Sequence, residues 1–289
     1  MRNQSVIGMA GQHQRVWAAA DHDYLFFNFS EGAGSAISDK SGSVSAVALT
    51  GTAPAWASKA RGIDPGVDTH LSLKNGSASA ELLDKLARIY ATTGNRLNGI
   101  MYMMVRMSVA VAPGSDTTNV LFSAGRQGTA TEQYGQMQVR VKASRTLEFG
   151  MRRRGTAGSL WYANSNAAMT AGGASRPYLL LLSEANETDL TAEWFVDANG
   201  SPQNSVTLAN GLAEATVRSD DAGMHLMCQS NHLQQPVSHV GAGTVAPVID
   251  WWGIGKMAAT PANRAALLTA WQGLHRSGVM PLAFSRITR

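Results

Sequence analysis

Alternation of apolar and polar residues with a period of two is what most constrains this chain, because only a strand with one buried face reads that way. Between residues 100 and 111, Met101, Met103, Val105, Met107 and Val109 share one parity, while Arg106 and Ser108 hold the other. Met137, Val139 and Val141 alternate with Gln138, Arg140 and Lys142; Leu147, Phe149 and Met151 alternate with Glu148 and Arg152. The polar break Ala143-Ser144-Arg145 between the last two makes them a hairpin. Each strand is expected to have one wet face and one core face, which is antiparallel sheet rather than α/β.

Further strand signals recur along the chain, about a dozen between residues 23 and 257. They include Tyr24-Leu25-Phe26-Phe27-Asn28-Phe29, the apolar run 178–182, 191–196, 205–208, 215–217, 225–228 and 249–256. Two helical periods interrupt them. Residues 79–90 place Leu82, Leu83, Leu86, Ile89 and Tyr90 on one stripe. The second spans 261–276: Thr260 is an N-cap, Pro261 a first helical residue whose missing N–H is not needed there, and Gly278 a stop. The stretch 167–175, rich in Gly and Ala and free of charge, reads as the loosest loop.

Composition agrees with short strands joined by turns. Of 289 residues 29 are Gly and only 15% are charged, well below the usual quarter. The net charge of +4 is too mild and too dispersed for a nucleic-acid footprint, so no direct nucleic-acid contact is expected. The apolar runs are too short for a membrane span. The single cysteine, Cys228, excludes an intrachain disulfide and reads as a buried small hydrophobe. Residues 1–22 are a polar arm beginning Met1-Arg2-Asn3 with no apolar leader, and residues 277–289 an Arg-bearing tail; one sandwich is expected to fill 23–276.

The order of the pieces resembles the laminin-G-like family of concanavalin-A-like jelly rolls. Leu25, Phe27 and Phe29 precede Glu31-Gly32-Ala33-Gly34 and then Asp39-Lys40-Ser41-Gly42. Val120 to Gly125 matches the family's Ser-x-Gly strand end, and Gln136 to Arg152 its ligand-side hairpin. Trp194 to Gly200 matches its Asp-Gly hairpin with two residues added, and Trp251-Trp252-Gly253-Ile254-Gly255 runs into the closing helix. The resemblance implies an all-β, antiparallel β-sandwich jelly roll in which the helix at 79–90 is an insertion. It also implies a protein that binds glycans, peptides or neighbouring subunits, sometimes through a rim calcium. Asp39, Asp64, Asp68, Asp116 and Asp197 are loop acids in the right kind of place, but turn capping is the simpler role for each, and no cofactor or metal is expected.

Catalytic sets are missing from the pattern. Glu148 stands alone on its strand, Glu184 and Glu187 are offset by three, and no paired-acid strand motif, nucleophile elbow, zinc-helix motif or phosphate loop occurs. A non-enzymatic protein is expected. The strongest charge feature is Arg152-Arg153-Arg154, suited to an acidic glycan, a phosphate or an acidic subunit surface, although a solvated hairpin end is the plainer reading. Trp161 and Tyr162 nearby extend it as ligand or interface candidates, and Trp252, adjacent to Trp251, joins them if it faces outward. Phe27, Phe29, Trp194, Leu268 and Trp271 are the expected core anchors. The first expectation is a structural part of a large assembly, a bacteriophage virion component of head-decoration, cement or tail-associated type. It would sit in the virion or the producing cell's cytoplasm, with homo-oligomeric, capsid or tail partners. The alternative is a lectin-like or receptor-binding carbohydrate-binding domain, and a glycan-cleaving enzyme ranks last.

Overall fold

The structure is a computed structural model that describes residues 23–39, 46–51, 55–56, 62–65, 68–74, 78–90, 97–110, 119–124, 136–152, 159–209, 223–230, 236–239 and 247–277. Among these residues it is an antiparallel β-sandwich of jelly-roll type with two helices.

The larger sheet runs in the order β14 (Asn204–Leu208), β13 (Leu190–Val196), β12 (Arg176–Glu184), β7 (Ile100–Val109), β18 (Pro247–Met257), β5 (Ile63–Asp64) and β4 (Ala55–Trp56). Strand β1 (Asp23–Phe27) pairs with the other end of β18. Its edge is blunted by Asp39, whose Oδ1 accepts from the Phe26 N–H at 3.0 Å, thirteen residues away, a tertiary contact rather than the local turn capping expected of a loop acid. The smaller sheet runs β11 (Ser159–Asn164), β10 (Leu147–Arg152), β9 (Gln136–Val141), β8 (Val120–Ala124), β15 (Met224–Leu226) and β6 (Leu71–Leu73). Two ribbons stand apart, β2 (Ala36–Ile37) with β3 (Val47–Ala48) and β16 (Cys228–Ser230) with β17 (Pro236–His239).

Between the sheets lies the core that the alternation predicts. Met101, Met103, Val105 and Met107 of β7 meet Met137, Val139 and Phe149 of the facing sheet. Phe27, Phe29 and Trp194, expected as anchors, are 1% exposed or less. The hairpin turn closes by Arg145 N–H to Lys142 O and Lys142 N–H to Thr146 O, with Arg145 at φ 64 taking the left-handed position of a three-residue loop.

Helix α1 (Ala80–Tyr90) is capped by Ser79, whose Oγ accepts from Leu82 N–H. It buries Leu82, Leu86 and Ile89 in the main core. Helix α2 (Pro261–Ser277) is capped by Thr260, whose Oγ1 accepts from Asn263 N–H. It lies on the outer face of the larger sheet, where Leu267, Ala270 and Trp271 pack with Phe26, Tyr102, Met104, Leu179, Leu181 and Phe195. Trp271 is fully buried and donates its indole N–H to Asn199 O, while Leu268 is only partly buried at the margin of this layer.

This second apolar layer corrects the expectation of one wet face on β7: Tyr102 and Met104, of the parity read as polar, are both 1% exposed. The glycines of β18 make the room. A Cβ at Gly255 would sit 2.4 Å from the Tyr102 hydroxyl oxygen, and one at Gly253 would sit 3.0 Å from Phe26 Cδ2.

Two further expectations are overturned. Trp252, a candidate for the surface, is fully buried in the core, stacked on Phe27 at 6.1 Å and tilted against Phe122 at 5.6 Å. A bulge between Ile249 and Trp251 shifts the parity of β18 and leaves Trp251 as the half-exposed member of the pair, beside Phe26. The loop 167–175 is also not loose. Arg176 Nη1 donates to Ala168 O, Tyr178 Oη to Ala167 O, Met169 N–H to Arg145 O and Gly172 N–H to Val109 O. The expected strand at 215–217 and the segments 1–22 and 278–289 lie outside the described residues, and no described helix is long and apolar enough to cross a membrane.

Candidate functional site

With an apolar part of the larger sheet covered by α2, the outer face of the smaller sheet presents a second set of polar groups. Its register sets a row across five strands: Ser72 of β6 opposite His225 of β15, His225 opposite Ser123 of β8, Ser123 opposite Gln138 of β9, and Gln138 opposite Gly150 of β10. In the backbone register the row continues to Trp161 of β11. The neighbouring residues of these strands, Leu71, Leu73, Met224, Leu226, Phe122, Met137, Val139 and Phe149, supply the core on the opposite face, so the polar row follows from strand parity.

The centre of the row is covered. Ser123, Gln138 and His225 are each 0% exposed. The chain leaves β15 at Met227, whose φ of 70 is left-handed, and Ser123 Oγ donates to Cys228 O at 3.2 Å, which draws the β16–β17 ribbon over this part of the face. His225 Nδ1 shares a hydrogen bond of 2.9 Å with Ser72 Oγ, and its Nε2 is buried with no hydrogen-bond partner. Burial, followed by the positive charges of Lys74 and His70, pushes the imidazole down to about 3, so His225 is neutral at ordinary pH. Cys228 is a free, buried thiol pushed up to about 12 by desolvation, an inert small hydrophobe as expected.

Towards the β9–β10 end the face carries charge. Glu148 is opposite Arg140 in register, and its Oε2 accepts from Arg140 Nη2 at 2.7 Å and Nε at 3.0 Å. Its Oε1 accepts from Lys142 Nζ at 3.2 Å. The acid lies deepest: side-chain exposure is 10% for Glu148, 12% for Arg140 and 25% for Lys142. Asn164 of β11 is the register partner of Glu148 on the other side and is half-buried. A carboxylate held at both oxygens by cations is a fixed acceptor array, and the cations around it are oriented donors.

Of the ligand candidates read from sequence, Arg152, Trp161 and Tyr162 fall on β10 and β11, with side chains outside the described residues; Arg153 and Arg154 lie outside them altogether. Trp252 belongs to the core. Arg140, Lys142 and Glu148, which sequence reasoning passed over as an ordinary wet face, form the charged cluster instead. The available signal was their shared parity across a predicted hairpin, which places residues 140 and 148 side by side.

Of the loop acids, Asp116 lies outside the described residues. Asp39 accepts from the Phe26 N–H, and Asp197 is engaged by Arg176, whose Nη2 lies 2.6 Å from Oδ2. Among the described residues no group of three or more His, Cys, Asp or Glu gathers to hold a metal ion.

No protein-family model matches the chain, and no curated protein matches it. Solved structures do. A Ruminococcus gnavus IT-sialidase CBM40 bound to alpha2,3 sialyllactose aligns over 67% of this chain and 89% of its own, with TM-score 0.42 and 12% identity. Trypanosoma rangeli sialidase in complex with sialic acid aligns over 92% of this chain but 38% of its own, with TM-score 0.49 and 11% identity. NanB sialidase from Streptococcus pneumoniae aligns over 66% of this chain and 25% of its own, with TM-score 0.42 and 13% identity. The chain therefore spans well under half the length of either sialidase. The likeness concerns the sandwich architecture and nothing finer.

Proposed function

We propose that this chain is a carbohydrate-binding β-sandwich that holds a glycan against the outer face of its smaller sheet without cleaving it. The observation that carries the reading is the contrast between the two outer faces. One carries an apolar layer under α2, edged by the ion pairs Arg264–Glu193 and Arg106–Asp250; the other presents Arg140, Lys142 and Glu148 as a fixed donor–acceptor array beside Asn164. Sugar hydroxyls both donate and accept, so they are bound well by pre-oriented carboxylate, guanidinium and amide groups whose rotamers are already locked. The resemblance to a family that mostly binds glycans, peptides or subunits points the same way.

The state of Glu148 supports reading this site as one that binds rather than cleaves. Glycoside hydrolysis needs one carboxyl group free to give a proton and a second at a set separation from it. Both oxygens of Glu148 are instead engaged by cations. The expectation of a virion component finds no support in the fold or its neighbours.

The test is a glycan microarray probed with the purified chain and with the double variant Arg140→Gln/Lys142→Gln. Retained binding of the wild type to at least one glycan, lost in a variant that still melts cooperatively, supports the reading. A blank array for the wild type, or equal binding by the variant, overturns it.

A further inference from the structure

We infer that the Asn199–Gly200 step is a site of spontaneous covalent modification, at which the chain deamidates to isoaspartate and alters the seat of α2. The co-reactant is water. The site is independent of the carbohydrate-binding reading.

The chemistry is a ring closure between neighbours. The Gly200 backbone nitrogen attacks Asn199 Cγ while its proton passes through solvent to Nδ2. The Cγ–Nδ2 bond breaks and ammonia leaves, closing a succinimide. Water then adds to one ring carbonyl. Attack at the main-chain carbon breaks its bond to the Gly200 nitrogen and yields isoaspartate, with the chain routed through Cγ; attack at Cγ yields aspartate. A following glycine favours the first step, because no Cβ obstructs the nitrogen and the backbone turns freely.

Four Asn-Gly steps occur in the sequence, at Asn75, Asn98, Asn199 and Asn210, and the two described ones sit in opposite surroundings. Asn98 donates its N–H to Glu184 Oε1 at 2.8 Å. Gly99 is buried, and a Cβ there would stand 2.5 Å from Met257 O, so this step is pressed against β18 where Ile100 and Met257 pair. Ring closure would have to move backbone that is packed between strands. Asn199–Gly200 instead follows β13 in a turn, after Asp197 and Ala198, both at φ 56, and both of its residues are exposed. Asn199 N–H donates to Val196 O and Asn199 O accepts from Trp271 Nε1, each at 3.1 Å. Its side-chain amide and the Gly200 N–H make no hydrogen bond among the described residues. A Cβ at Gly200 would meet the end of the Gln272 side chain, with Nε2 at 2.4 Å.

The consequence for α2 follows from which carbonyl the reaction uses. Asn199 O, the acceptor of the Trp271 indole, belongs to the group that isoaspartate formation takes out of the main chain. Its oxygen becomes part of a carboxylate and the turn gains a backbone methylene. Trp271 thereby loses an acceptor fixed by the sheet, and a negative charge appears beside α2.

The experiment ages the full chain in mildly alkaline oxygen-18 water and reads each Asn-Gly step by peptide mapping, both folded and in concentrated urea. In the folded chain, label is expected to enter Asn199 about tenfold faster than Asn98, the factor that one hydrogen bond lost on ring closure is worth. In urea the two rates are expected to converge. The Trp271 indole N–H resonance is expected to shift in the converted fraction, and Gly200→Ala to suppress label and shift together. Labelling at Asn98 as fast as at Asn199 in the folded chain overturns the site. Wild-type labelling of Asn199 in Gly200→Ala also overturns it. A labelled Asn199 with an unmoved Trp271 resonance overturns the coupling to α2.

Discussion

Gly255→Ala is a substitution for which general propensity and this fold disagree in sign. In an unobstructed strand, replacing Gly by Ala gains about 0.5–1 kcal/mol through reduced backbone entropy. Here the new Cβ would stand 2.4 Å from Tyr102 Oη and 2.5 Å from its Cζ. The ring cannot swing away, because Tyr102 is 1% exposed and held in the layer beneath α2 with Trp271 and Phe26. Overpacking of this kind costs about 1–3 kcal/mol and outweighs the propensity gain, for a net loss of about 1 kcal/mol. For a chain of this size that is a fall in Tm of roughly 2–4 °C. Urea and thermal denaturation of Gly255→Ala, Tyr102→Leu and the double variant would measure it as a cycle. The two changes should be strongly non-additive, because Leu leaves space for the methyl group. A single variant as stable as the wild type, or strict additivity, would refute the packing of this layer.

Two other outcomes follow from buried groups. His225 has its folded pKa lowered to about 3 from an unfolded value near 6.5, so the stability it permits is complete above about pH 6.5 and is lost as pH falls towards 3. At pH 5 the loss is about 2 kcal/mol, and His225→Gln should flatten the denaturation midpoint between pH 6.5 and 5; an unchanged slope would contradict the buried neutral imidazole. Trp271→Ala should cost about 3–5 kcal/mol by removing a fully buried ring and its bond to Asn199 O, seen as an early loss of helical circular dichroism; a cost below about 1 kcal/mol would place α2 elsewhere.

Strand periodicity carried the architecture because the apolar parity of the hairpin does face the core, Met137, Val139 and Val141 among it, although the outer parity expected to be wet is covered as well, with Gln138, Ser123 and His225 each 0% exposed. It failed where a third layer was added. Tyr102 and Met104 are buried on the outer side of β7 only because α2 returns across that face, and a local pattern holds no information about such a return. Trp252 was misplaced for a similar reason, since the bulge at Asp250 resets the parity of β18 and nothing in Ile249-Asp250-Trp251 announces it. The loop 167–175 looked loose from its small residues, yet Arg176 and Tyr178 pin its carbonyls from the next strand. The candidate site was half legible: residues 140 and 148 could be paired from the hairpin, but the depth of Glu148 beneath its cations required coordinates.

The central claim is that a glycan sits on the outer face of the smaller sheet. Backbone amide chemical-shift mapping of the isotope-labelled chain, titrated with the best-binding oligosaccharide from the array, tests it most directly. The predicted result is a cluster of shifted amides on β9, β10 and β11 around Arg140, Glu148 and Asn164, with α2 unmoved. Shifts centred on α2 and the larger sheet, with β9 and β10 silent, would contradict it.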